Sequence, residues 1–222
     1  MGEKTDRRLI ILAVFALVAV SVVVAVLIAS GGGEESGGLA ESCQESAVGA
    51  PNHLNLDCPD VETPAEGSVA VVDTSKGQFT IALATEEAPL TTASFSYMVD
   101  QELYTKTKFH RIVPDFVIQG GDPLGNGTGG PGYSVTEAPP PSTKYTPGVV
   151  AMAKAGDEPP GTSGSQFFVV TGAGGESLPA EYALLGEVVE GLDVVGQIGR
   201  LGTPSEQPKE PIFIDKITIE ER

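Results

Sequence analysis

Ser68–Ala84 reads SVAVVDTSKGQFTIALA, and its pattern decides the fold class. Two runs rich in Val, Ile, Phe and Thr, Ser68–Asp73 and Gln78–Ala84, flank Thr74-Ser75-Lys76-Gly77, whose small and polar residues suit a tight turn. This pattern predicts a β-hairpin. Working outward, further strand-like runs are expected at Lys108–Val113, Phe116–Gln119, Gly148–Ala153, Gln166–Val170, Ala183–Val189 and Ile212–Glu220. Two helices are expected, over Leu90–Asp100 with Pro89 in its first turn and over Gly191–Ile198. Gly 28 and Pro 17 supply turns and disfavour a helical bundle. Short strands in quantity, few helices and no internal repeat predict a domain over 68–222 that is all-β dominated: a closed antiparallel β-barrel capped by two α-helices.

N-terminal to this domain the composition changes twice. Residues 1–8 carry Lys4, Arg7 and Arg8, and Leu9–Ala29 follows without a charge or a proline. As a helix that stretch spans roughly 30 Å, the thickness of the bilayer hydrocarbon, so residues 9–29 read as a transmembrane helix. A cleavable signal peptide is the alternative, with an apolar region of roughly 7–15 residues and a small-x-small site. Val26-Leu27-Ile28-Ala29-Ser30 puts bulky residues where small ones are preferred, which favours a retained anchor. Basic residues before the span and Glu34 and Glu35 after it place residues 1–8 in the cytoplasm. The remainder is then extracytoplasmic, on a single-pass protein of the cell membrane.

Residues 30–67 are rich in Gly, Ser, Glu and Pro and read as a flexible linker. They hold the two cysteines of the chain, Cys43 and Cys58. On the oxidising side of a membrane these are expected to form a disulfide, worth roughly 3 kcal/mol in the chain-entropy model and able to order a small collar beside the domain. A zinc site would need more ligands than two cysteines and His53 supply, and no CxxC knuckle is present, so no metal is expected. His53 reads as a surface residue.

Charge excludes one class of partner. With 13 Lys+Arg against 30 Asp+Glu the net charge is −17, and after the N-terminus the longest basic cluster is Lys106, Lys108 and Arg111, so no nucleic acid is expected. Thr162-Ser163-Gly164-Ser165 superficially resembles a serine-enzyme loop, but it lacks the strand-turn-helix of a nucleophile elbow, and only His110 could act as its base within the domain. The glycine-rich run Gly120–Gly130 lacks the lysine and helix of a phosphate cradle, and Asp122 would repel phosphate.

Three blocks remain: Phe109-His110-Arg111-Ile112-Val113-Pro114-Asp115-Phe116-Val117-Ile118-Gln119-Gly120-Gly121-Asp122, Ala151-Met152-Ala153-Lys154-Ala155-Gly156, and Ser163-Gly164-Ser165-Gln166-Phe167-Phe168. Together they resemble the cyclophilin family of peptidyl-prolyl cis-trans isomerases, here in a membrane-anchored, bacterial-like form. The resemblance runs from Ser68 to Glu220 and implies an eight-stranded barrel closed by two helices. Carried over by motif position, it makes Arg111 the catalytic arginine, with Phe116 and Gln119 beside it. Val117, Met152, Ala153, Lys154, Gln166, Phe168, Leu178 and Tyr182 become the substrate-binding set. Strict alternation cannot put Phe116, Val117 and Gln119 on one face, so this reading requires a bend or bulge there. His110 alternates to the other face from Arg111 and is expected to be structural.

The implied reaction suits a site so poor in reactive groups. Amide rotation has a barrier of about 18–20 kcal/mol and breaks no bond, so neither nucleophile nor cofactor is needed. A guanidinium donor could stabilise the pyramidal proline nitrogen, directly or through the prolyl carbonyl, while apolar walls exclude water. The implied partners are proline-containing polypeptides, and the implied role is assistance to the folding of exported proteins. A non-catalytic proline-binding or chaperone module is the alternative. Departures from the family pattern are Ser177 where a rim tryptophan is frequent, which argues against cyclosporin-type ligands, Lys154 for a common asparagine, and Tyr182 for a frequent histidine.

Overall fold

The computed structural model describes residues 42–46 and 54–222. The expected membrane span and His53 lie outside the described residues, among which no helix is long and apolar enough to cross a membrane. In chain order the elements are β1 (Cys43–Glu45), β2 (Val69–Thr74), β3 (Gly77–Leu83), α1 (Pro89–Asp100), β4 (Arg111–Val113), β5 (Val117–Gly120), β6 (Tyr133–Thr136) and β7 (Val149–Met152). There follow β8 (Thr162–Ser163), β9 (Phe167–Val170), a 3₁₀ turn (Ala173–Ser177), β10 (Leu184–Glu190), α2 (Leu192–Gly199) and β11 (Ile214–Glu220). The predicted hairpin is β2–β3, paired from Val69↔Ala82 to Thr74↔Gly77.

Eight strands form one antiparallel sheet in the order β11-β2-β3-β10-β7-β9-β5-β4. Register shifts in β10 between Leu184 and Gly186 and between Val188 and Glu190 break its ladders, the sort of irregularity that bends a strand and curls a sheet. The expected closed barrel is corrected here, because edge strands β4 and β11 share no ladder. They approach through the isolated bridge Lys108↔Phe213, with Phe109 N–H donating to Ile212 O at 3.0 Å and Ile214 N–H to Thr107 O at 2.8 Å. The physical reason lies in the loop before β11. Ile112 N–H donates to Glu206 O at 2.9 Å, so the loop occupies the edge of β4 that a closing strand would need.

One face of the sheet holds the main core. Ile112, Ile118, Val169 and Val150 lie in register across β4, β5, β9 and β7 and are fully buried there. Phe167 is a hub of that core, meeting Phe95, Tyr104 and Phe109 edge to face with centroids 5.9–6.3 Å apart, the favoured geometry for aromatic pairs. Helix α1 packs in the same cluster through Phe95, Met98 and Val99. Pro89 suits its first turn, but its N-cap, Ala88, has no side-chain acceptor. Glu137, distant in sequence, supplies it: one carboxylate oxygen accepts Leu90 N–H at 3.2 Å and the other accepts Thr91 N–H at 2.8 Å. A carboxylate there also meets the positive end of the helix dipole. At α2 the N-cap is Gly191 at φ 76°, and any Cβ on it would meet Gln78 O at 2.4 Å, so this tight β10–α2 corner requires glycine.

A second sheet was not legible in the sequence: β1-β6-β8, three short strands. Its first strand belongs to the stretch read as a flexible linker, at the end where a disulfide was expected to order a collar. Cys43, Gln44 and Glu45 pair with Val135, Ser134 and Tyr133, and the chain is held again by Leu54 N–H to Gly130 O at 3.1 Å and Leu56 N–H to Pro131 O at 2.8 Å. The Cys43–Cys58 disulfide joins these two attachments with a Cα–Cα distance of 5.9 Å. The expected collar is present, and it adds a strand.

Candidate active site

Antiparallel register carries side chains of alternate parity to opposite faces. The rung Arg111↔Gln119↔Phe168↔Ala151 therefore lies on the outer face, one residue out of step with the core rung Ile112↔Ile118↔Val169↔Val150. On that face Val117, Tyr145, Val149, Ala151, Phe168 and Val170 form a small buried cluster, with Phe116, Ala153, Leu178, Tyr182 and Leu184 packed against it. A cavity of about 200 Å³ opens over the cluster, lined by Arg111, Phe116, Val117, Gln119, Ala153, Lys154, Phe168, Leu178 and Tyr182.

Two residues of the expected set lie elsewhere. Met152 is 1% exposed and belongs to the main core, so its expected place in the substrate-binding set is corrected: strand alternation in β7 turns Met152 inward and leaves Ala153 to the cavity. Gln166 lines a neighbouring cavity of about 420 Å³, shared with Ser46, Gly127–Pro131, Ala155, Glu158 and others. It is tied to the first cavity only through Gln119, whose Nε2 donates to its Oε1 at 3.1 Å. Gln166 Nε2 in turn donates to Gly127 O at 3.1 Å and Gly129 O at 3.0 Å.

The bend required near Phe116 exists but is not a strand bulge, since the β5 registers are continuous. Phe116 sits in the turn between β4 and β5, after Asp115 at φ 57°, while Val117 and Gln119 share a face as i and i+2 within β5. Predicted strand Lys108–Val113 shortens to β4 for a related reason. Phe109 and Ile112 both reach the core, three residues apart, which breaks alternation around His110 and turns Arg111 outward.

Arg111 is held from two sides. Its Nε donates to Glu206 Oε2 at 2.7 Å, its Nη1 donates to Gln119 Oε1 at 3.3 Å, and the guanidinium carbon lies 6.0 Å from the Phe116 ring centroid. The Arg111 hydrogen bond and charge hold the Glu206 carboxyl below its ordinary range. Opposite, Phe168 meets Tyr182 edge to face at 5.3 Å. Tyr145 fixes that wall: its hydroxyl donates to Tyr182 O at 2.7 Å and accepts Tyr182 N–H at 3.0 Å. Lys154 curls back, donating to Ala155 O at 3.2 Å and Glu158 O at 3.0 Å, with its ammonium 5.9 Å from the Tyr182 ring centroid. Sequence reasoning missed Glu206 and Tyr145, and neither sits in a block that could have announced it.

Neither rival chemistry is assembled. Asp122 is fully buried and fills the glycine-rich loop itself, accepting N–H from Leu124 at 2.8 Å and Asn126 at 2.9 Å, and from Gly127. Burial pushes its carboxyl up, but these main-chain donors, joined by Gly129, outweigh it and hold the group below its ordinary value. The N–H groups a phosphate would need are already taken. His110 is 8% exposed, and its Nδ1 has no hydrogen-bond partner, so no serine is activated through that nitrogen.

An apolar seat beside one fixed guanidinium suits recognition of an imino-acid ring and polarisation of the amide next to it. Comparison with known proteins agrees. Residues 69–219 match the family described as cyclophilin type peptidyl-prolyl cis-trans isomerase/CLD. A peptidyl-prolyl cis-trans isomerase-like 1 of Neurospora crassa is 41% identical over 153 residues, covering 67% of this chain and 91% of that protein. Peptidyl-prolyl cis-trans isomerase A of Mycobacterium tuberculosis is 36% identical over 183 residues, covering 73% and 98%. The crystal structure of a cyclophilin type isomerase of Cryptosporidium parvum, determined in the presence of the dipeptide Ala-Pro, has a TM-score of 0.62 and 30% identity, covering 69% of this chain and 99% of that one. This chain belongs to the cyclophilin-type peptidyl-prolyl cis-trans isomerase family.

Proposed function

We propose that the chain accelerates rotation about Xaa-Pro bonds in exported polypeptides from a domain tethered to the outer face of the cell membrane. The observation that carries the catalytic part is the cavity itself. Phe116, Val117, Phe168 and Leu178 make an apolar seat for a prolyl ring, and Arg111 stands at its edge. As the amide twists, its nitrogen loses delocalisation and becomes basic, and a guanidinium donor aimed there or at the prolyl carbonyl lowers the barrier. Uncatalysed isomerisation takes about 10–100 s, so a turnover near 10² s⁻¹ asks for roughly 5 kcal/mol, within reach of one preorganised donor in a water-poor seat. NMR exchange on a short Ala-Pro peptide tests this. The full chain should raise the cis/trans exchange rate, and binding without acceleration would favour a proline-binding module instead.

Anchoring rests on the apolar stretch 9–29 with its preceding basic residues, and on the cysteine pair, which suits an oxidising compartment. Fractionation should find the chain in membranes, with the domain cleaved by protease added from outside. A soluble form beginning near Ser30 or Gly31 would refute a retained anchor.

A further inference from the structure

Glu206 has no counterpart among the residues that carry the family resemblance, yet it makes the shortest side-chain contact to Arg111. The loop that presents it is a folded unit. Thr203 N–H donates to Gln207 O at 3.0 Å, Glu206 N–H to Thr203 O at 2.9 Å and Lys209 N–H to Leu201 O at 2.8 Å, with a bridge between Gly202 and Pro208. Glu206 itself adopts φ 62°, an uncommon conformation for a residue with a side chain. Its carbonyl is fixed to β4 through Ile112 N–H, the residue next to Arg111. Main chain and side chain of one residue thus grip two successive residues of the strand that carries the guanidinium.

Resting on the isomerase reading above, we propose that Glu206 is a positioning residue for Arg111: its carboxylate holds Nε while Gln119 holds Nη1, so that Nη2, which takes part in neither contact, is presented to the proline amide. An unrestrained arginine samples many rotamers and must surrender that freedom when it engages the twisted amide. Holding two of its three nitrogens beforehand removes part of that loss from the activation step. The carboxylate also lowers the positive potential of the guanidinium, an opposing effect, but the substrate amide carries no net charge for that potential to act on. Orientation therefore outweighs it.

Both partners are partly solvated, with side chains 33% and 49% exposed, so the effect has the modest size of an exposed ion pair. In rate this is about two- to fivefold. The experiment uses the full chain, an Ala-Pro peptide at varied concentration with exchange followed by NMR, and the ¹⁵N-resolved Nε–Hε signal of Arg111. Glu206→Ala should lower kcat about two- to fivefold with KM changed less than about twofold, and should shift and broaden the Nε–Hε signal. Glu206→Gln keeps an acceptor oxygen without charge and should recover most of both, which guards against a collapsed loop in the alanine variant. Parent-like or higher kcat in Glu206→Ala overturns the proposal, as does an Nε–Hε signal unmoved by that change. A parent that fails to accelerate exchange at all overturns the isomerase reading and this proposal with it, and is recognised by the missing baseline rate.

Discussion

Replacing Arg111 by alanine separates stability from catalysis, and the structure sets the size of each effect. On the stability side the change removes an ion pair to Glu206 and a 3.3 Å hydrogen bond to Gln119, at a side chain 33% exposed. Solvent screens such a pair, so its loss costs about 1 kcal/mol or less. For a chain of this size that corresponds to a Tm lower by roughly 2–4 °C. No core contact is emptied, because Ile112, not Arg111, faces the main cluster. On the catalytic side, loss of one preorganised donor typically costs about 10²–10³ in rate. The prolyl seat of Phe116, Phe168 and Leu178 remains, so the loss should fall on kcat more than on KM. Arg111→Lys sharpens the test. It keeps the charge but not the planar fork that meets Glu206 and Gln119 at once, and most of the loss should persist. NMR exchange on a proline peptide and a thermal melt suffice for each variant. An Arg111→Ala protein that melts like the parent and isomerises as fast would refute the mechanism.

Three further outcomes are expected. Burial, opposed by the charge of Asp122 and reinforced more weakly by those of Lys108 and Arg111, lowers the His110 pKa, so the unfolded chain takes up a proton first as pH falls. Stability from this group is then whole above the ordinary value of about 6.5 and is lost as pH drops below it toward the folded pKa; melts between about pH 7.5 and 5 should show the decline, and His110→Asn should flatten it. Replacing Cys43 and Cys58 by serine should destabilise the collar by up to roughly 3 kcal/mol, seen as faster amide exchange at Ser46 and Leu56, while turnover of a short peptide stays close to the parent's; a parallel loss of activity would contradict this separation. Tyr145→Phe removes the hydroxyl that both donates to and accepts from the Tyr182 main chain, leaving two polar groups short of a partner. It should cost roughly 1–3 kcal/mol in a melt and raise KM for the peptide, and an unchanged KM would show that the Tyr182 wall does not need this tie.

Sequence alone determined the β-rich class, the hairpin, both helices and most of the residues around the cavity. Its signals there are local: alternation puts Val117 and Gln119 on one face, and the ordered blocks around Arg111, Ala153 and Phe168 carry the family resemblance. Where alternation alone decides, sequence proximity could still mislead, as for Met152, which looks like its neighbours in the motif but points into the core. The remainder came from contacts between segments far apart in the chain. Glu137 caps α1 from 46 residues away, Tyr145 braces Tyr182 across 37, and Glu206 reaches Arg111 across 95. The open sheet edge has the same origin, since whether β4 meets β11 or a loop depends on which of them reaches Ile112 N–H. So does strand β1, whose Gln and Glu carry little strand preference of their own and which exists because β6 offers a free edge and a disulfide keeps it there. Hydrophobic periodicity reports which face of an element is buried, but which distant polar group completes a hydrogen bond is settled only when the folded chain brings the two together.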